Sequence, residues 1–378
     1  MLFEQMKTPR FAALLAALMT AFACIELPAP GTDDNTTPTE DPNNNEENKE
    51  DVFTIQPTSI SLDAVESDFQ ITVVSSGKEY DVTIVDSWLT EVSRSGKPAT
   101  GETIVFHATE NLSENAASRS GVISVCTKDG NCYPVMVEQA GAFPRKVLGM
   151  RFTATWCGYC PYMDEAFHLT KEASADFIYV TFHASKGYPL YFSDSDALAS
   201  AYRIQGYPTG VVGGWQEIQN YTNTQYTSNN IISTIESFEK KLPASAFINA
   251  SAKIDGDKLS VNAKVNTTES GEYKVVAVVL ESGIVEAQSY YPTSGGSTTL
   301  SDFVHDNIAR KTLTGSILGD DLAENGELKW ETSLDSSWNK DNLSVAIWVL
   351  RPYGKYRPYK AISAYPNEFI TNACIVKF

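Results

Sequence analysis

Apolar and polar residues alternate in short runs in two blocks of the chain, and a stretch of different period separates them. Alternation at period two marks a strand with one buried face. In the first block Phe69–Val74, Tyr80–Val85, Thr103–Ala108, Gly121–Cys126 and Tyr133–Glu138 alternate, with turn residues between them. Several short strands punctuated in this way predict a β-sandwich over residues 52–142. In the last block Ala246–Ile254 and Lys258–Val265 flank Asp255-Gly256-Asp257, a hairpin signal, and Tyr273–Leu280 and Leu343–Leu350 supply further strands. They predict a second β-sandwich over residues 244–378. Between the blocks, residues 143–243 run from a β-type segment (Lys146–Thr155) to a helical one (Tyr162–Ala175). A strand (Phe177–Phe182), a short helix (Ser195–Tyr202) and a turn into a strand (Ile204–Val212) follow. That alternation indicates an α/β unit. The expected fold class is therefore multidomain, α/β plus all-β, with an α/β domain between two β-sandwich domains.

The N-terminus departs from both patterns. Lys7 and Arg10 precede an apolar run, Phe11–Phe22, that is too short to span a bilayer comfortably. Residues 1–23 read as a signal peptide. The run ends in Ala21-Phe22-Ala23-Cys24, which resembles the bacterial lipobox, although Ala21 stands where Leu is usual. The resemblance implies lipidation of Cys24. The other reading is ordinary cleavage beside an incidental cysteine. Residues 24–51 are expected to be a disordered acidic tether, because residues 28–51 hold eight acidic side chains, one Lys and almost nothing apolar.

Composition narrows the function. At 378 residues the chain is long enough for two or three domains, and 42% hydrophobic with 20% charged residues are globular values. A net charge of −18 repels nucleic acid, so nucleic-acid binding is discarded.

An exported chain meets an oxidising compartment, where cysteines pair. A loop at Lys128-Asp129-Gly130 would set Cys126 opposite Cys132, and a structural disulfide is expected there. Residues 52–142 resemble the BACON domains of Bacteroidetes proteins. The likeness rests on Trp88-Leu89, a turn at Ser95-Gly96, Ala116-Ala117-Ser118-Arg119-Ser120-Gly121 and the closing Val137-Glu138-Gln139-Ala140-Gly141. It implies a carbohydrate or mucin binder, with Trp88 a candidate stacking platform. A spacer with Trp88 in its core is the competing reading.

The chemistry-bearing motif is Trp156-Cys157-Gly158-Tyr159-Cys160-Pro161, between a strand and a helix. A cysteine just ahead of a helix N-terminus meets unpaired N–H groups and the positive end of the dipole, which favour its thiolate. Cys160 lies one turn on, placed to resolve a mixed disulfide. About fifty residues later comes Gly206-Tyr207-Pro208-Thr209. Together the two motifs resemble thioredoxins and protein disulfide isomerases. The resemblance implies a thioredoxin-like domain, Cys157 and Cys160 as catalytic residues, and a cis Pro208 packed on the disulfide. It makes Trp156, Tyr207, Pro208 and Thr209 substrate-binding. Arg151 stands where that family carries a buried acid, with Asp164 and Glu165 as candidate partners, so the proton relay is in doubt. The other readings of the pair are a structural disulfide or half of a zinc site. Zinc needs two more ligands, which His168 alone does not supply; no metal or cofactor is expected.

Tyr188, Tyr191 and Phe192 line either a binding surface or local packing. His183 reads as structural, His305-Asp306 has no nucleophile beside it, and Cys374 reads as a buried thiol. The order of ATWCGYCP, GYPTGVV and the VHDNIAR segment resembles the Omp-twenty-eight-related outer-membrane lipoproteins of Bacteroidetes. That resemblance implies a lipid-anchored protein of the outer membrane, facing the periplasm or the outside. Two functions are thereby expected. One is thiol–disulfide exchange with protein cysteines and an unidentified redox partner. The alternative is a non-catalytic surface lipoprotein binding glycan or protein through its sandwiches.

Overall fold

The structure is a computed structural model that describes residues 52–219, 222–353 and 367–378. Cys24, the signal peptide and the tether lie outside the described residues.

Residues 53–139 form two four-stranded sheets packed face to face. One takes β1 (Phe53–Gln56), β3 (Ser67–Ser75), β6 (Gly101–Ala108) and β5 (Leu89–Lys97) in that order. The other takes β2 (Ser59–Leu62), β8 (Cys132–Gln139), β7 (Arg119–Thr127) and β4 (Tyr80–Ile84). Alternate residues point inward, so Ile71, Val73, Ile104, Phe106, Ile123, Val125, Val135 and Val137 fill one core. Strand β5 escapes the alternation pattern because only Leu89 of its nine residues is buried.

The rest of the chain is organised by a nine-stranded sheet. Its order is β12 (Gln216–Ile218), β11 (Thr209–Val212), β9 (Val147–Thr153), β10 (Phe177–His183), β20 (Ile308–Thr312), β15 (Lys274–Glu281), β23 (Leu343–Pro352) and β24 (Glu368–Lys377), with β21 (Asp320–Asp321) added on β15. β9 and β10 are parallel, and every residue of both is buried, as expected where both faces are covered. On one face lie α1 (Cys160–Ala173) and α3 (Thr224–Lys241), joined through Thr170 Oγ1 and Ser228 Oγ at 2.9 Å. On the other face, Met150, Phe152, Val180 and Phe182 share a core with Val276, Val278, Trp348 and Ile370, and Leu198 of α2 (Ser195–Ala201) joins it. The sheet is rolled, so that the Ile370 N–H donates to Gly213 O at 2.8 Å. A smaller sheet, β13 (Ala246–Asp255), β14 (Lys258–Thr267) and β22 (Glu327–Ser333), packs over β15 and β23.

This corrects the expected fold class. The described residues form twenty-four strands and three α-helices, and they show no clear thioredoxin-like α/β domain. The strands of 147–212 and those of 274–377 are halves of one rolled sheet with a common core. The local strand–helix alternation is present, but tertiary pairing overrides its reading: β20 pairs beside β10 and continues the sheet into the C-terminal half. The all-β part of the expectation fits.

Candidate functional site: the Cys157–Cys160 disulfide and its cover

The loop after β9 carries Trp156-Cys157-Gly158-Tyr159, and α1 begins at Cys160 with Pro161 in its first turn, where no intrahelical donor is needed. The turn is closed by Cys157 N–H to Ala154 O (3.0 Å) and Cys160 N–H to Cys157 O (3.2 Å). Cys157 and Cys160 form a disulfide. They are only 4% and 3% exposed and pack against Ala154 and Tyr207. The Tyr207–Pro208 peptide is cis, and Thr209 begins β11, paired with Phe152 of β9. Thr209 Oγ1 donates to Gly206 O at 2.8 Å. The ring of Trp156 lies edge-on to Tyr207 with centroids 6.0 Å apart, and its Nε1–H donates to Ser185 Oγ at 3.0 Å. Tyr207 thus packs on the disulfide and Trp156 on Tyr207, while Pro208 and Thr209 follow Tyr207 into β11. Cys126 and Cys132 form a separate disulfide across the β7–β8 hairpin.

Beneath the loop, Arg151 is buried and ion-paired with Asp164 of α1; its Nε and Nη2 donate to Thr181 Oγ1 at 3.2 and 2.9 Å. Burial pushes the guanidinium down to about 10, against Tyr179 and Asp306, which oppose the shift, so it is charged at neutral pH. His168 bridges Tyr179 OH (3.0 Å) and Asp306 Oδ2 (3.3 Å). The rings of His183 and His305 meet at 5.1 Å. Burial, reinforced by His305 and by Arg151, holds His183 well below the usual imidazole value. Burial and Arg151 bring His305 down to about 4. Among the described residues no group of three His, Cys, Asp or Glu is placed to hold a metal ion.

The residues not singled out in the sequence come from the connection between β15 and β20. Strands β16 (Ile284–Val285) and β19 (Val304–His305) pair at its base, and β17 (Gln288–Tyr290) and β18 (Thr298–Leu300) pair beyond them. The Ser289 N–H donates to Thr155 O and the Tyr291 N–H to Gly158 O, both at 2.8 Å. The Gln288 amide donates to Cys157 O (2.9 Å) and Ala154 O (3.3 Å). A Cβ on Gly158 would run into the Tyr291 ring. Gly295-Gly296 amid Ser and Thr is the one hairpin signal that marks this segment in the sequence.

Residues 195–356 match the family model described as Outer membrane protein Omp28. None of the curated proteins compared matches the chain. Among solved structures, HBP35 of Porphyromonas gingivalis is 21% identical, with 62% of this chain and 76% of that one covered at a TM-score of 0.48. The GspB Siglec domain is 8% identical, with 33% of this chain and 75% of that one covered at a TM-score of 0.21. A Bacteroides ovatus GH5 xyloglucanase in complex with a XXXG heptasaccharide is 8% identical, with 49% and 43% covered at 0.20. These scores lie below 0.5, so none of them assigns a fold. The family match supports a protein of the cell envelope.

Proposed function

We propose that this envelope protein exchanges disulfides with cysteines of other proteins through Cys157 and Cys160. The observation that carries the reading is the juxtaposition of the bonded pair, at the start of α1, with Trp156 and the Tyr207-Pro208-Thr209 segment. A partner thiolate attacks Cys157 Sγ, the Cys157–Cys160 bond breaks, and Cys160 leaves as a thiolate that takes up a proton. A second partner thiolate then attacks the mixed disulfide and releases Cys157. The partner dithiol is oxidised to a disulfide and the protein's disulfide is reduced to two thiols. The reverse direction runs when the partner couple has the higher potential. The positive end of the α1 dipole favours the Cys157 thiolate as attacking or leaving group. The test is equilibration of the mature chain with glutathione. A potential below about −300 mV together with an unreactive Cys157 thiol would overturn the reading. A Cys160→Ser variant is expected to trap partners as mixed disulfides.

A second reading is favoured by the burial of both sulfurs and by the outer-membrane family match. In it the pair is a staple and the protein binds glycan or protein through its β-sheet regions. A Cys157→Ser/Cys160→Ser variant of the full chain then keeps all its binding on glycan arrays and in partner pull-downs. We place the protein on the outer membrane through a lipid on Cys24, with residues 52–142 as a BACON-type spacer. Loss of detergent-phase partitioning in Cys24→Ser is the outcome that supports the anchor.

A further inference from the structure

We infer that residues 284–305 are a strap that closes over the Cys157–Cys160 disulfide and occupies the place of the extended polypeptide on which the pair acts. The inference deepens the redox reading, and its substrate half rests on that reading.

The strap is a β-arm of two short ladders, Ile284↔His305 with Val285↔Val304, then Gln288↔Leu300 to Tyr290↔Thr298. It leaves the sheet after β15 and returns at β20. Its contacts with the disulfide loop run through the main chain of one strand edge, without forming a ladder. Ser289 and Tyr291, two residues apart on one edge, donate their N–H groups to Thr155 O and Gly158 O at 2.8 Å. Gln288, 2% exposed, reaches across to Cys157 O and Ala154 O. Tyr162 OH, on α1, donates to Tyr291 O at 2.9 Å. The Tyr291 ring lies over Gly158, edge-on to Tyr159 at 5.2 Å. The carbonyls of Ala154, Thr155, Cys157 and Gly158, which flank the buried sulfurs, are therefore engaged by the arm.

A strap that must open has to be weakly held elsewhere, and this one is. Two-stranded hairpins are marginal by themselves. The outer strand is largely solvent-facing, with Thr298 and Thr299 exposed, and the tip at Gly295-Gly296 is exposed. Lifting the outer ladder, Gln288–Leu300, breaks these hydrogen bonds and the Tyr290–Tyr162 ring contact and uncovers Gln288, while His305 at the base stays packed on His183, a local opening that leaves the sheet intact. It would free the Thr155 and Gly158 carbonyls between the exposed rings of Trp156 and Tyr159. That edge suits a partner segment in extended conformation, bound by strand addition. An incoming segment then competes with the arm for the same acceptors, so exchange is gated by displacement of the strap.

The experiment follows reduction of the full mature chain by dithiothreitol, with alkylation and mass mapping to separate Cys157–Cys160 from Cys126–Cys132. Tyr291→Ala and Gln288→Ala, which remove an aromatic cover and a bridging amide, are each expected to raise the Cys157–Cys160 rate about tenfold. Gly158→Ala, which pushes the Tyr291 ring away from the other side, is expected to act in the same direction. The rate for Cys126–Cys132 stays constant and reports any general loosening. Rates equal to wild type in all three variants overturn the strap. Should the variants fold poorly, hydrogen exchange of the wild-type protein decides. The Ser289 and Tyr291 amides are expected to exchange well before those of β9, and equal protection overturns the strap. The glutathione potential judges the redox reading separately: a value below about −300 mV together with an unreactive Cys157 thiol overturns the substrate half of the inference, whatever the rates.

Discussion

The guanidinium of Arg151 on β9 is paired with the carboxylate of Asp164 on α1, with side-chain exposures of 2% and 12%. The pair ties the strand that leads into Cys157 to the helix that carries Cys160. Removing one partner of a buried pair leaves an uncompensated charge, at a cost of about 3–5 kcal/mol. Asp164→Ala is therefore expected to lower the urea midpoint strongly, whereas Arg151→Met with Asp164→Leu loses much less than the single change. A double-mutant cycle measures this, and a cost under about 1 kcal/mol for Asp164→Ala refutes the anchoring role.

Trp88 has little room for a sugar. Arg119 Cζ lies 4.3 Å from its ring centroid, a Cβ on Gly121 would strike its Cζ2, and the ring packs against the core of the first sandwich. Trp88→Ala is expected to destabilise the protein by about 3 kcal/mol, as for other large-to-small core changes. Gly121→Val should destabilise it too. Any glycan-array signal of the full chain should survive Trp88→Ala; its loss in a folded variant would restore Trp88 as a binding platform.

Cys374 of β24 is a free thiol, and burial pushes its pKa up to about 12. At pH 8 its thiolate fraction is on the order of one in ten thousand. A Cys24→Ser chain with both disulfides formed is expected to show no reactive thiol to Ellman's reagent when native, and one when unfolded in guanidinium. A fast native thiol would mean that β24 opens or that a disulfide is reduced.

The disulfide site was legible where chemistry is local. Trp156 to Cys160 and Tyr207 to Thr209 are short motifs, and strands with one buried face, such as β3 and β7, show their alternation directly. What escaped depends on long-range pairing. Thr181 opposite Ile308 joins the two halves of the sheet through one register pair, and no local pattern announces it. The covering arm was hidden for the same reason: Gln288 and Tyr291 lie about 130 residues from Cys157, and strands of two or three residues are too short for a period to appear. Arg151 was legible as a departure, but only packing showed that Asp164, and not Glu165, answers it.

The histidine pair at the edge of the site makes stability pH-dependent. His183 and His305 are buried neutral, the first well below its usual value and the second at about 4, each mainly through burial. In the unfolded chain both titrate near 6.5. Between those values the unfolded state binds protons that the native state refuses, so stability present above about pH 6.5 is lost as pH falls toward 4. The slope is about 1.4 kcal/mol per pH unit for each histidine, which gives His305 alone a contribution on the order of 3 kcal/mol across the window. The native Asp306 carboxyl, held low chiefly by its hydrogen bond to His168, adds its own loss at lower pH. His305→Gln keeps an amide donor for Glu286 O, which the imidazole Nε2 meets at 3.2 Å, but does not titrate. Urea titrations at pH 7 and pH 5 are expected to show a smaller drop for this variant than for wild type. Equal drops would mean that His305 is protonated in the native state and that water reaches the pair.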